Sequence, residues 1–168
     1  LELFVQVCAG IQHAHQKAII HRDIKPSNVL VALQDGEPVP KSSAFGVAQA
    51  LAQPLTDKTL VTEHGPVVGT PAYMSPEQAE MTGLNVDTRT DIYSLGVMLY
   101  QLLIGVLPFD PKALREAGYS GMMKVIRESD PPRPSTRFSS LGEGSKTSAE
   151  RRRTDPSKLR SVLEGDLD

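Results

Sequence analysis

The hydrophobic residues near the start of the chain recur at helical spacing, with polar residues between them. This apolar face consists of Phe4, Val7, Cys8 and Ile11. The pattern predicts an amphipathic helix in which Cys8 is a small buried hydrophobe. His13 and His15 are two positions apart and do not share a helix face, so we expect both side chains to be solvated.

A second pattern predicts a small β-hairpin. Residues 29–33 form a run with high strand propensity, and residues 39–43 can return beside it. Between them, Asp35 and Gly36 supply the positive φ angles that a two-residue hairpin turn requires.

The strongest helical signal covers residues 88–105, which are apolar on nearly every side from Ile92 to Ile104. This predicts a buried helix at the centre of the domain, ended by Gly105 and Pro108. We assign its larger side chains to the core rather than to a cofactor site. These are Tyr93, Met98 and Tyr100.

The second half of the chain is more polar. A shorter amphipathic helix is predicted around residues 121–128. From about residue 129 to 160 the chain is rich in Pro, Ser, Gly and Arg, which predicts a polar insertion with little to bury. Within it, residues 144–160 carry a net charge of +4. We interpret that window as a solvated loop, with two alternatives: docking of an acidic partner, or phosphorylation of Thr154 by a kinase that prefers basic sequences.

Composition places the chain among ordinary soluble proteins. Its 168 residues suit one domain or a large piece of one, and the formal net charge of −2 gives no general reason to expect nucleic acid or a membrane surface as a partner. The single cysteine cannot form an internal disulfide. The longest apolar run, residues 94–105, is too short to span a bilayer, so we expect a cytoplasmic chain.

Both ends of the chain fall inside predicted structure. A helix begins at once without a capping residue, and the last residues are typical of a cap before a further helix. We therefore expect a fragment of a larger domain, whose parent protein could carry a membrane anchor elsewhere.

One run of residues carries a chemical signature. Residues 21–28 read His-Arg-Asp-Ile-Lys-Pro-Ser-Asn, which fills every fixed position of the pattern H-R-D-x-x-x-x-N. An isolated Asp and Asn at this spacing would usually be a surface loop, but further landmarks follow in a fixed order. They are Phe45-Gly46, Gly69-Thr70-Pro71, Tyr73-Met74-Ser75-Pro76-Glu77, Asp91-Ile92-Tyr93-Ser94-Leu95-Gly96 and Pro108-Phe109.

With these motifs the chain resembles the large lobe of eukaryotic-like serine/threonine protein kinases, and several segments are similar to the bacterial members. The resemblance implies an α+β, mainly α fold with a small β-hairpin and without the small lobe. It divides the partial kinase domain, residues 1–168, into a catalytic loop at 21–28, an activation segment at 44–77, the buried helix at about 88–105 and the polar insertion at about 129–160.

The resemblance also implies roles for the catalytic-loop residues. Asp23 would orient the substrate hydroxyl and accept its proton. Lys25 would place positive charge beside the transferred phosphoryl group of ATP. Asn28 would offer its amide oxygen to Mg²⁺, and the substrate would be a protein.

The regulatory residues implied by the resemblance begin with Arg22, whose guanidinium would pair with a phosphate on the activation segment. The candidate phosphate carriers are Thr56, Thr59 and Thr62. Thr70 would bond the catalytic Asp and, like Lys25, indicates serine/threonine specificity.

Two acidic residues would act as supports. Glu77 would form a salt bridge with an Arg that lies beyond Asp168. Asp91, at the start of the apolar helix, would accept hydrogen bonds from the backbone of the catalytic loop, although a charge favoured by the helix dipole would also explain an Asp at this position.

Two features depart from the family pattern. The metal-binding triplet Asp-Phe-Gly is here Ala44-Phe45-Gly46, and alanine has no oxygen for magnesium, while Ser42 and Ser43 replace apolar strand residues. This cluster has three interpretations: a pseudokinase substitution, drift in an unselected remnant, or a sequence error.

The second departure is that no glycine-rich phosphate loop and no strand lysine precede Leu1. We therefore expect the fragment alone to be inactive. The alternative function is a pseudokinase or a degenerate kinase-like binding module without phosphotransfer.

Overall fold

The computed structural model describes residues 1–43, 71–80, 86–165 and 167–168. Across these ranges the chain is mostly helical with a two-stranded antiparallel sheet, which confirms the predicted α+β, mainly α class. The helices are α1 (Glu2–His15), α2 (Pro76–Ala79), α3 (Thr88–Ile104), α4 (Pro111–Glu116), α5 (Gly118–Glu128), α6 (Pro134–Ser139), α7 (Glu143–Glu150) and α8 (Pro156–Leu163). The strands are β1 (Val29–Gln34) and β2 (Glu37–Ser42), and short 3₁₀ turns cover Pro26–Asn28 and Pro71–Tyr73.

The hairpin forms as predicted. β1 and β2 pair from Val29 opposite Ser42 to Gln34 opposite Glu37. The turn residues Asp35 and Gly36 have φ angles of 54° and 84°, which is the two-residue turn geometry that matches the twist of paired strands.

Helix α3 is the centre of the fold. The side chain of Asp87 caps its start by accepting a hydrogen bond from the backbone N–H of Arg89, and Gly105 ends it with a φ of 87°. Eight residues of α3 are buried, but Ile92 and Leu102 remain 57% and 49% exposed. The prediction of burial on nearly every side is therefore correct except along that strip.

Three apolar clusters surround α3. The first joins α1 and the predicted catalytic loop, residues 21–28, to α3 through Val7, Ile11, Ile24, Leu95 and Met98. The second joins α3 to residues 71–79 and to helices α4 and α5 through Ala72, Tyr73, Ala79, Val97, Leu114, Met122, Met123 and Ile126. The third joins the end of α3 to helices α6, α7 and α8 through Tyr100, Ile104, Phe138, Ala149, Leu159 and Leu163.

The third cluster corrects one expectation. The segment at about 129–160 was expected to have little to bury, yet it folds into α6, α7 and α8 and buries Phe138, Ala149 and Leu163 almost completely. The physical reason is spacing: apolar residues are few there, but Leu159 and Leu163 are four positions apart and share one helix face. The expected solvated loop at 144–160 is likewise wrong.

Polar contacts complete this packing. The hydroxyl of Ser148 donates to the carbonyl oxygen of Ile104 at 2.7 Å, and the guanidinium of Arg152 donates to the carbonyl oxygens of Leu102 and Ser148. These carbonyls lie at the C-terminal ends of α3 and α7, where helix carbonyls lack partners of their own.

Within the described ranges, no helix combines the length and the apolar character needed to cross a membrane.

Candidate active site

The predicted catalytic loop, residues 21–28, is held in place by its buried residues. His21 and Ile24 are 0% and 2% exposed, whereas the side chain of Asp23 between them is 48% exposed. The 3₁₀ turn that follows begins at Pro26 and closes with the N–H of Asn28 donating to the carbonyl of Lys25 at 2.9 Å. The local sequence therefore presents the Asp23 carboxylate to solvent from an anchored backbone.

The three predicted catalytic-loop side chains lie together. Lys25 Nζ is 2.9 Å from Asp23 Oδ2. Asn28 Nδ2 donates to the same oxygen at 2.8 Å and to the backbone carbonyl of Asp23 at 2.8 Å. Both side-chain contacts are on Oδ2, so among the described residues Oδ1 is left to accept a proton or hydrogen bond from elsewhere.

The carboxylate of Asp91 binds the backbone of residues 21 and 22. It lies in the first turn of α3 and is 0% exposed. Its Oδ2 accepts the N–H of His21 at 2.8 Å and its Oδ1 accepts the N–H of Arg22 at 2.7 Å. Arg22 has a φ of 68°, a left-handed conformation that costs a non-glycine residue about 1–2 kcal/mol.

His15 is a further member of this network. Its Nε2 lies 2.7 Å from Asp91 Oδ2 and its side chain is only 9% exposed, so the expectation of a solvated side chain is wrong. The signal was in the sequence, since His15 is four residues after Ile11 and lies on the buried face of α1. His13 is exposed, as expected.

The two off-pattern serines connect the end of β2 to the loop. Ser42 Oγ is 2.8 Å from His21 Nε2, and the carbonyl oxygen of Ser43 is 3.2 Å from the same nitrogen. The N–H of Ser43 donates to the carbonyl of Asn28 at 2.8 Å. Hydroxyls and backbone groups therefore satisfy polar atoms around a buried imidazole.

Helix α2 also contacts residues 21–28, through the side chain of Gln78. It starts with a reciprocal cap between Ser75 and Gln78, and Gln78 Nε2 also donates to the carbonyl of Arg22 at 2.8 Å. Glu77 Oε1 accepts the hydroxyl of Thr90 at 2.7 Å. The salt bridge expected for Glu77 stays a prediction.

The structure describes some of the other predicted site residues and not the rest. Arg22 Nε is buried and has no hydrogen-bond partner among the described residues. Ala44 and Thr70 lie outside the described residues, as do the candidate phosphate carriers. Those carriers are Thr56, Thr59 and Thr62.

Burial shifts the acidity of two side chains near the site. It raises the pKa of the Tyr73 phenol, which stays neutral and donates to Gln101 Oε1. Burial also raises the pKa of the Cys8 thiol, which is partly buried on α1 and is unsuited to act as a thiolate.

The described part of the chain lacks the side-chain groupings that hold resident metal ions in proteins. No group of three or more His, Cys, Asp or Glu side chains there is placed to hold one.

Comparison with known proteins agrees with this geometry. The family model for the protein kinase domain matches residues 2–163. Serine/threonine-protein kinase PknB of Mycobacterium leprae is 38% identical over 141 residues, covering 84% of this chain and 20% of the relative. Serine/threonine-protein kinase Pkn1 of Myxococcus xanthus is 41% identical over 133 residues, covering 78% of this chain and 18% of the relative.

A second Myxococcus xanthus relative, serine/threonine-protein kinase pkn3, is 40% identical over 139 residues, covering 80% of this chain and 24% of the relative. The chain thus spans about a fifth of the length of these relatives. A family match over nearly all of its residues, together with these identities, shows that the chain belongs to the protein kinase domain family, among bacterial relatives named as serine/threonine kinases.

Proposed function

We propose that this chain forms the catalytic-loop part of a serine/threonine protein kinase, which transfers the γ-phosphoryl group of ATP to a hydroxyl of a protein substrate. The observation that carries the proposal is the half-exposed Asp23 carboxylate, with Lys25 and Asn28 both bound to its Oδ2. The names of the relatives support this function over a kinase-like binding module.

In the proposed reaction, Asp23 Oδ1 accepts the hydrogen bond of the substrate hydroxyl. The hydroxyl oxygen forms a bond to the γ-phosphorus, the bond from that phosphorus to the bridging oxygen breaks, and ADP leaves. The hydroxyl proton passes to the carboxylate of Asp23. Because Asp23 Oδ2 is occupied by Lys25 and Asn28, the carboxylate cannot rotate freely and Oδ1 keeps its direction.

Lys25 serves the phosphate side of the same reaction. Its side chain is 16% exposed, so its ammonium group is held near Asp23 rather than dispersed in solvent. A fixed positive charge at this place would stabilise the negative charge of the transferred phosphoryl group, as the family resemblance implies.

Magnesium would enter this site with ATP, and it would neutralise charge on the phosphates. Asn28 Nδ2 faces Asp23, so the amide oxygen Oδ1 is the end of the side chain that remains for a cation. Position 44 supplies a methyl group and no oxygen. The protein ligands therefore fit a magnesium ion only in part, and the residue steps above do not depend on it.

Regulation is part of the proposal. Arg22 Nε is buried and lacks a partner among the described residues, which suits pairing of its guanidinium with a phosphate on the activation segment. Thr70 would support serine/threonine specificity, as the resemblance implies.

The test is phosphotransfer from radiolabelled ATP to a general protein substrate, measured on the full-length protein. Asp23→Asn should lower the rate by roughly 100-fold to 10,000-fold, because the base is lost while the size of the side chain is kept. Asp35→Asn is the matched control: it makes the same chemical change at the hairpin turn, where Asn tolerates the positive φ of 54°.

The variant Ala44→Asp, together with the phosphotransfer assay, distinguishes a kinase from the non-catalytic alternative. If the full-length protein transfers no phosphate, and Ala44→Asp does not produce magnesium-dependent nucleotide binding, the kinase proposal is wrong and the non-catalytic alternative stands. Equal rates for Asp23→Asn and the wild type would also contradict the role given to Asp23.

A further inference from the structure

The side-chain amide of Gln78 is bound at both of its ends. Its Oε1 accepts the backbone N–H of Ser75 at 3.0 Å, and its Nε2 donates to the carbonyl oxygen of Arg22 at 2.8 Å. If the amide were rotated by 180°, its NH₂ group would face the N–H of Ser75 and its oxygen would face the carbonyl oxygen of Arg22. Donor would then face donor and acceptor would face acceptor, so these contacts fix the amide in one orientation.

The residue that Gln78 contacts is the strained residue of the catalytic loop. Arg22 has a φ of 68°, which a non-glycine residue keeps only when its surroundings hold it there. Its N–H is bound by Asp91 Oδ1 at 2.7 Å and its carbonyl by Gln78 Nε2 at 2.8 Å. Side chains from two separate helices, α3 and α2, therefore fix both polar groups of the Arg22 backbone.

Asp23 depends directly on that carbonyl. The carbonyl of Arg22 and the N–H of Asp23 belong to one planar peptide group, so fixing the oxygen also fixes the direction in which the Asp23 backbone continues. Among the described residues, the N–H of Asp23 has one contact, a long one of 3.3 Å to His21 Nδ1. The hydrogen bond from Gln78, at 2.8 Å, is therefore the shorter of the two contacts that these residues make with this peptide plane.

We propose that Gln78 is a positioning residue for Asp23, acting through the Arg22 carbonyl and joining the start of α2 to the catalytic loop. The inference rests on the proposed function in that Asp23 is taken as the base. The hydrogen bond itself, and its effect on the loop backbone, can be tested whether or not the protein transfers phosphate.

The decisive variant is Gln78→Glu. It replaces the donor nitrogen with an oxygen, which removes the hydrogen bond to Arg22, while the other carboxylate oxygen can still accept from Ser75 and keep the α2 cap. Gln34→Glu is the matched control, because it makes the same substitution at an exposed position in the hairpin.

The measurement is amide hydrogen exchange by NMR on the full-length protein. In Gln78→Glu the amides of Arg22 and Asp23 should exchange roughly threefold to tenfold faster than in the wild type, and the Arg22 carbonyl ¹³C shift should move. Amides of α8 should be unchanged. Ser75→Ala, which removes the cap and the hydroxyl contact with Thr90 but leaves the Gln78 amide in place, should accelerate the amide of Gln78 more than those of Arg22 and Asp23.

Rates within twofold of the Gln34→Glu control at Arg22 and Asp23 would overturn the proposal. An equal acceleration throughout α8 would also overturn it, because it would show a general structural role. In the kinase assay, a lower kcat for Gln78→Glu with an unchanged KM for ATP supports the positioning role. If even the wild type transfers no phosphate, the proposed function fails while the exchange result still decides this inference.

Discussion

Asp91 supports the candidate site from the first turn of α3. Its buried carboxylate receives three contacts, from the N–H groups of His21 and Arg22 and from His15 Nε2. A buried carboxylate is stable only when hydrogen bonds or charges compensate for its lost hydration, so each of these contacts supports both the fold and the loop.

His15→Leu tests this support. We expect the free energy of unfolding to fall by about 1–3 kcal/mol, because the variant leaves Asp91 buried with one contact fewer. His13→Leu, two residues earlier on the exposed face of the same helix, should change it by less than about 0.5 kcal/mol. Urea unfolding followed by circular dichroism measures both. Equal losses for the two variants would contradict the role given to His15.

At the residue scale, sequence reasoning found the groups that are close in the chain. Asp23, Lys25 and Asn28 lie within one motif, and the structure brings their side chains together. The burial of His15 could have been predicted from its spacing to Ile11, but the partners of His15 and Gln78 could not, since the contacts with Asp91 and Arg22 span 76 and 56 residues. Only tertiary structure brings such pairs together, and a single sequence does not record it.

At the scale of elements, the end of α3 combines a backbone requirement with a close contact. Gly105 has a φ of 87°, and a Cβ atom there would lie 2.9 Å from the hydroxyl oxygen of Ser148. That hydroxyl already donates to the carbonyl of Ile104. The glycine therefore lets α7 approach the end of α3 closely.

Gly105→Ala should lower the free energy of unfolding by about 1–3 kcal/mol, from the strained φ and the displacement of Ser148. Gly10→Ala is the matched control within α1, where a Cβ meets nothing within 4 Å. There the same substitution should be neutral or should stabilise by up to about 1 kcal/mol, because alanine is the better helix former. Thermal unfolding compares them, and the same sign for both variants would refute the argument.

The elements themselves were predicted with unequal success. The hairpin, α1 and α3 follow from periodicity and turn residues, which are local signals. Helices α6 to α8 were hidden because average composition over residues 129–160 is polar, although the few apolar residues have helical spacing. Contacts of Ser148 and Arg152 with helix carbonyls also depend on the tertiary arrangement.

At the scale of the whole molecule, a buried phenol makes stability depend on alkaline pH. Burial raises the pKa of Tyr100 to about 12, and its hydroxyl donates to the carbonyl of Pro132 at 2.9 Å. The folded state keeps this proton at a pH where the unfolded state, with a pKa near 10, has lost it. The contribution of Tyr100 to the free energy of unfolding is thus fully present below about pH 10 and falls as the pH rises towards 12.

We expect this residue to remove about 2 kcal/mol of stability between pH 10 and 12. Tyr100→Phe should show a shallower decline, with a constant offset from the lost hydrogen bond. Burial also raises the pKa of Tyr73 and Tyr93, so some slope should remain. Urea unfolding at a series of pH values gives the comparison, and parallel curves for the two proteins would refute the prediction.

The position of α3 has a consequence for the order in which parts of the molecule unfold. The helix contributes Leu95 to the first apolar cluster, Val97 to the second and Ile104 to the third. A protein whose clusters shared no element could lose them one at a time, in separate subglobal openings. Here each opening exposes part of the same helix, so the last amide hydrogens to exchange should be those of α3, at a rate set by complete unfolding.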